Sequence, residues 1–366
     1  MPRGFPLLAT TGSPLGNLVS RPVDSKTTES DIMTGRERVL KALNFQAADR
    51  IPRDLWVLPY SSLYRQDEVD TLLTRYPIDF ERVESYPGET EADTKRLATP
   101  GTYVDDWGSM WKVGVPGTVG EVKAPALEDW GRLPAWQPPW RQIKRRDIDY
   151  VNRLCDATNC FAINPVSARP FERLQFLRGT ENVYLDLAWG SSEFTQLLEL
   201  VHAFYIEDVR SWASSNVDGV FLMDDWGTQE SMLISPKMWR EIFKPLYRDY
   251  FEIIHAAGKH VFFHSDGFIE PIIEDLIEIG ADALNSQLFC MDIEGLGTRF
   301  GGRITFWGEI DRQYVLPFGA REDVVQAVRR VRAALDKGRG GAIAQCEWGK
   351  DNELPNIQAV YEAWLD

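Results

Sequence analysis

The chain has 366 residues, of which 44% are apolar, 12% aromatic and 26% charged, which is the composition of a globular protein with ample material for a core. A formal net charge of −15 disfavours a nucleic-acid or anionic-membrane surface, since phosphate binding needs a basic footprint. No apolar run is long enough to span a bilayer, and the four cysteines, at 155, 160, 290 and 346, form no disulfide framework, so a cytoplasmic protein is expected.

Residues 1–32 are rich in Pro, Gly, Ser and Thr without apolar periodicity, and are expected to be a disordered extension. Their start, Phe5-Pro-Leu-Leu, is too short and too interrupted by proline to be a secretory core. Residues 33–366 are expected to form a single domain. Thr34-Gly-Arg-Glu37 has the capping-box spacing and predicts a helix over 36–43, after which Arg50 to Trp56 has the composition of a first strand. Between about 100 and 140, Trp107, Trp111, Trp130, Trp136 and Trp140 lie among Gly and Pro, and the spacing predicts an inserted two-stranded excursion or lid. Beyond it, apolar strands near 161–165, 218–224, 260–265, 281–287, 304–308 and 341–345 alternate with helical segments. One of these helices is predicted to run unbroken from Ser235-Pro236 to Gly258. Short strands without alternation belong to sheets covered on both faces, so a (β/α)8 TIM barrel is expected. An open doubly wound sheet is the alternative, disfavoured because no Gly-rich phosphate loop follows any strand.

Several of these strands end in reactive side chains: Asp224 and Asp225, then His264 and Asp266, then Glu309, then Cys346. A parallel barrel gathers its strand ends at one mouth. His264 and Asp266, one residue apart on an extended segment, point the same way, and with Cys346 they make a mixed donor set suited to zinc with a position left open. Glu309 is a candidate fourth ligand or catalytic group. Adjacent carboxylates on a strand face opposite ways, so at most one of Asp224 and Asp225 faces the centre of the mouth. Arg169, in a loop before Pro170, is the anion-binding candidate, while Arg173 and Arg178 are read as salt-bridge formers. Trp226, Asn285, Trp307 and Trp348, at or beside strand ends, are expected to contact substrate.

Met33-Thr-Gly-Arg-Glu-Arg-Val-Leu-Lys-Ala-Leu-Asn44, Asp49-Arg-Ile-Pro, Phe171-Glu-Arg, Leu177-Arg-Gly, Asp224-Asp-Trp-Gly-Thr-Gln, His264-Ser-Asp-Gly, Phe306-Trp-Gly-Glu-Ile-Asp and Ala359-Val-Tyr-Glu-Ala-Trp together resemble the uroporphyrinogen decarboxylase superfamily. More narrowly, they are similar to its corrinoid-dependent methyltransferases, such as methylcobamide:coenzyme M methyltransferase. The resemblance implies a (β/α)8 barrel and a zinc ion held by His-x-Cys and a distant second Cys. His264 matches the first ligand, Asp266 stands where the first Cys is expected, and Cys346 matches the second. The implied activity is methyl transfer between a small thiol, hydroxyl or methoxyl compound and a corrinoid supplied by a separate carrier protein, with a homodimer as one arrangement. Two rival readings are a metal-independent decarboxylase or lyase using Asp224 and Arg169, and a non-catalytic tetrapyrrole- or corrinoid-binding protein.

Overall fold

Thr34 caps the first helix: its Oγ1 accepts from the Glu37 N–H at 3.1 Å while its own N–H donates to Glu37 Oε2 at 2.7 Å, which opens the helix Gly35–Leu43. The computed structural model describes residues 33–365, so the expected extension at 1–32 lies outside the described residues. Eight parallel strands then form one sheet curled into a nearly closed barrel. In chain order they are β1 (Arg53–Val57), β2 (Phe80–Arg82), β3 (Phe161–Ile163), β4 (Gly219–Met223), β5 (His260–Ser265), β6 (Ala283–Ser286), β7 (Thr305–Trp307) and β8 (Ala342–Trp348). Each pairs with its chain neighbour from β2 through β8, and β8 pairs with β1. Closure between β1 and β2 comes from the Asp79 N–H donating to Arg53 O at 2.8 Å and from Arg82, whose guanidinium donates to both oxygens of the fully buried Asp54.

Alternation decides what each strand residue does. Phe221 and Met223, Phe262, Trp307 and Ile343 point into the barrel, joined there by Trp56, Phe80 and Phe161. Val220 and Leu222, Val261 and Phe263, Phe306, Ala344, Cys346 and Trp348 point outward to the helices. Val39, Ala42 and Leu43 of the first helix plug the amino-terminal end of the barrel, so the interior is a packed core with only the carboxyl-terminal mouth available for chemistry.

Three details differ from the sequence expectations. The three-residue β2 is too short to show any period. The excursion is a three-stranded antiparallel sheet of Gly101–Val104, Met110–Val113 and Glu121–Ala124, the last strand being polar and short. The helix expected from 235 to 258 is two, Pro236–Ile242 and Lys244–Ala256, because Pro245 has no N–H to give and its ring collides with the carbonyl of the preceding turn. Among the described residues no helix is long and apolar enough to cross a membrane.

Candidate functional site

The loops that leave β4 and β5 carry the sequences Asp225-Trp-Gly227 and Asp266-Gly267, and the glycines explain how the two acids meet. A Cβ on Gly227 would sit 2.4 Å from the Phe268 nitrogen, and one on Gly267, whose φ is +82°, would sit 2.2 Å from the Gly227 carbonyl carbon. Only two bare backbones pass this closely, and they are tied by Gly227 N–H to Asp266 O at 3.0 Å and Phe268 N–H to Thr228 O at 2.7 Å. The Asp266 N–H in turn donates to Asp225 Oδ1 at 3.0 Å. Strand register places His264 level with Met223 on one side and Asn285 on the other, with the Trp56 ring packed 5.1 Å from the imidazole.

Asp225, His264 and Asp266 thus bring three ligating atoms within 4.8 Å of one another. His264 Nε2 lies 3.3 Å from Asp266 Oδ1 and 3.6 Å from Asp225 Oδ1. Two atoms bound to one zinc at ~2.0 Å in a tetrahedron are about 3.3 Å apart. Asp225 Oδ2, His264 Nε2 and Asp266 Oδ1 are all buried without a hydrogen-bond partner, which is costly unless something else binds there. A divalent cation fits: two carboxylates and one imidazole are an oxygen and nitrogen donor set of the kind such ions take.

The histidine is pre-oriented for that role. Asn285 spends its amide hydrogens on Trp307 O and on Gln345 Oε1, at 3.2 Å, which fixes its Oδ1 as the acceptor for His264 Nδ1 at 2.6 Å. In the neutral imidazole the proton therefore sits on Nδ1, and it is Nε2 that faces the two acids and would offer its lone pair to a cation. Burial opposes charging this imidazole, but Asp266 and Asp225 outweigh it and raise its pKa to about 9. Asp266 experiences the reverse: burial lifts its carboxyl, yet Arg312 and His264 hold it below the ordinary carboxylate range.

Arg312 organises the outer ring of the mouth. It donates to Asp266 Oδ2, to Glu347 Oε2 at 2.8 Å, and pairs with Glu309 Oε1 at 3.1 Å. Burial among like charges pushes Glu309 up to about 8, in spite of Arg312. Glu309 belongs to the mouth but not to the three-atom cluster. Arg312, Glu347, Gln345 and Glu172 were not singled out from sequence. Alternation on β8 was the available signal, since Gln345 and Glu347 are the polar positions between outward Ala344, Cys346 and Trp348.

That alternation also moves several expected site residues elsewhere. Cys346 has the wrong parity: its Sγ points away from the mouth, 3.9 Å from Tyr361 Oη, and burial pushes the thiol up to about 12. Asp225 occupies the place expected for it. Asp224 faces outward, where its carboxylate accepts from the Phe171 and Glu172 N–H groups, each at 2.7 Å, and from Tyr247 Oη at 2.6 Å, clamping the start of the helix Pro170–Arg178. Trp226 is core, stacked 4.2 Å from Phe171, with its Nε1 donating to Tyr247 Oη. Trp348 lies outside the barrel and donates to Asn352 O. Trp307 lies inside but below the site, donating to Asp54 Oδ2 at 2.9 Å, and Asn285 orients His264. Arg169 is at the mouth.

The three-stranded excursion is fastened to the helix after β3. Arg173 lies over the Trp107 ring at 4.4 Å and pairs with Asp105 at 3.4 Å, while Ser109 Oγ donates to Phe176 O. Arg178 donates to Leu127 O and pairs with Asp186 at 2.9 Å. These two arginines are salt-bridge formers, as the sequence predicts.

A family model described as uroporphyrinogen decarboxylase (URO-D) matches residues 165–363. No curated protein matches the chain. Among solved structures, a methyltransferase from Methanosarcina mazei superposes with a TM-score of 0.68 at 14% identity, covering 91% of this chain and 98% of that one, a likeness of fold. An endo-β-1,4-xylanase from Gloeophyllum trabeum aligns at a TM-score of 0.46 and 10% identity over 91% of this chain and 99% of its own, too distant to carry an argument.

Proposed function

The chain belongs to the uroporphyrinogen decarboxylase family, and from that premise we propose that it is a metal-assisted methyltransferase acting at the barrel mouth. The observation that carries the reading is that Asp225, His264 and Asp266 each bring one ligating atom within 4.8 Å of the others, while Asp225 Oδ2, His264 Nε2 and Asp266 Oδ1 are buried without a hydrogen-bond partner. Asp225, His264 and Asp266 would hold a cation there, for which zinc is suited, and it would supply Lewis-acid polarisation of the substrate oxygen, an ether that gives its methyl group to a corrinoid on a separate carrier protein or a hydroxyl that receives one.

The residues of the chain do the remaining work. Asn285 keeps the His264 lone pair aimed at the cluster, and Arg312 holds Asp266 by its second oxygen. Glu309, with its pKa raised to about 8, holds a proton at neutral pH and can deliver it to an oxygen that loses its methyl group. The Trp-rich excursion excludes water from the mouth. A donor set without thiolate favours an oxygen substrate over a thiol. The metal-independent decarboxylase reading loses its acid, because both oxygens of Asp224 are committed to the helix start and to Tyr247.

The test is elemental analysis of the purified protein, followed by methyl transfer from small methoxyl and hydroxyl compounds to cob(I)alamin before and after chelation. Transfer that disappears with the metal and returns on reloading is expected. Turnover that survives complete metal removal, or decarboxylation in place of transfer, would overturn the proposal.

A further inference from the structure

Two more buried polar atoms at the mouth lack a hydrogen-bond partner. Arg169 ends the loop after β3, and Glu172 lies in the first turn of the helix Pro170–Arg178. Arg169 Nη1 and Glu172 Oε2 stand 3.9 Å apart, beyond hydrogen-bond reach, and neither atom has a hydrogen-bond partner. Their side chains are only 14% and 6% exposed. A buried donor and acceptor held side by side and unsatisfied is an exception to how folded proteins treat polar groups.

The pair is also held in place. Asp224 grips the Glu172 N–H at 2.7 Å, and the Arg169 guanidinium lies 5.4 Å from the Phe176 ring. Glu172 is close enough for its charge to act on Asp225 and to feel His264, yet it stands outside the tight cluster of ligating atoms. Arg169 is likewise near enough to Tyr103 of the excursion to act on its hydroxyl. The pair is therefore within electrostatic reach of both the acid–histidine cluster and Tyr103 of the excursion.

We infer that Arg169 and Glu172 form a substrate-binding pair that reads a head group carrying a hydrogen-bond acceptor and a donor on neighbouring positions. Arg169 Nη1 donates to the acceptor and Glu172 Oε2 accepts from the donor. A carboxylate would satisfy Arg169 and bring no donor to Glu172 Oε2, an ammonium would satisfy Glu172 and bring no acceptor to Arg169, and a thioether would satisfy neither. The class that fits is a neutral molecule with vicinal polar functions, such as a hydroxy ether or a primary carboxamide. For the end of the ligand that reacts, this inference rests on the methyltransferase reading; for the end that is recognised it stands on the pair alone. Leaving one of two buried charged groups unpaired weakens a ligand by roughly 10- to 100-fold.

The experiment compares 2-methoxyethanol with 1,2-dimethoxyethane, which keeps the ether acceptors and lacks the donor, by ligand-observed NMR titration of the full chain. The hydroxy ether should bind at least ~10-fold more tightly to the wild type. In the double variant Arg169→Met with Glu172→Leu the preference should vanish, while metal content and melting temperature stay at or above the wild-type level, because apolar groups replace a buried pair that makes no hydrogen bonds. Equal affinity for the two probes, no binding of the hydroxy ether, or a preference that survives in the double variant would overturn the inference. Because the readout is binding, a preserved preference without any methyl transfer would count against the methyltransferase reading alone.

Discussion

Asp224→Ala separates a clamp from a catalyst. The carboxylate is fully buried and receives the Phe171 N–H, the Glu172 N–H and Tyr247 Oη at 2.7, 2.7 and 2.6 Å. Truncation leaves all three donors buried and unpaired, at roughly 1–3 kcal/mol each, for a nominal loss near 6 kcal/mol. Two effects reduce that figure. The wild-type carboxylate is itself under burial stress, which pushes its pKa up to about 7, and water can enter the space that the side chain leaves. We expect a loss of about 3 kcal/mol, which at ~2.1 cal/mol/K per residue over a domain of this size lowers the melting temperature by about 4 °C. Urea unfolding and differential scanning calorimetry measure it, and metal content is assayed on the same samples. Asp224→Asn should fall between the two, since its amide keeps one acceptor and turns an NH2 toward a donor. A variant of near wild-type stability, within ~0.5 kcal/mol, that nevertheless loses all turnover would refute the clamp and return Asp224 to the chemistry.

Metal binding should depend on pH through His264. In the metal-free protein its pKa is raised to about 9, so below that value an incoming cation must displace a proton from Nε2, and apparent affinity should fall by about tenfold per pH unit as pH drops. The same shift makes a stability statement. A folded pKa above the ordinary 6.5 contributes stability that is fully present below about 6.5 and is lost as pH rises through about 9, so the metal-free protein should weaken across that window and the loaded protein should not. Flat affinity between pH 6 and 9 would contradict this. Asn285→Ala frees the imidazole and should lower metal affinity by roughly 10- to 100-fold, measured by competition with a chelating dye, and should also cost stability because it leaves the Trp307 carbonyl and Gln345 Oε1 buried without their donor. Removing residues 1–32 should change the unfolding free energy by less than ~1 kcal/mol, because Thr34 already caps the first helix.

The barrel was legible because its strands are apolar throughout and alternate with helical patterns, a texture that few other folds require. β2 was not, since three residues carry no period, and the break before Pro245 was hidden by an apolar stripe continuing across it. At the site, His264 and Asp266 were legible from their one-residue spacing. Parity was the information left unused. Counted along β8, Cys346 falls on the same face as Ala344 and Trp348, and counted along β4, Asp225 falls on the face of Phe221 and Met223. Trp226 and Trp348 fail as substrate contacts for the same reason. Arg312 comes from a loop whose path no local pattern encodes, and its meeting with Asp266, Glu309 and Glu347 is a tertiary fact. Glu172 sits at a helix start where a carboxylate is ordinary, and only the packing of that helix against Asp224 turns it toward the mouth.

The most direct test of the central claim is the metal content of Asp225→Ala and Cys346→Ala, purified side by side and measured by elemental analysis after dialysis against limiting zinc. Asp225 supplies one of three converging atoms, whereas the Cys346 thiol lies outside the barrel against Tyr361. The account predicts that Asp225→Ala loses most of its bound metal and that Cys346→Ala keeps a full equivalent, with only the modest loss of stability that follows from removing a buried sulfur. Metal lost from Cys346→Ala and retained by Asp225→Ala would contradict it.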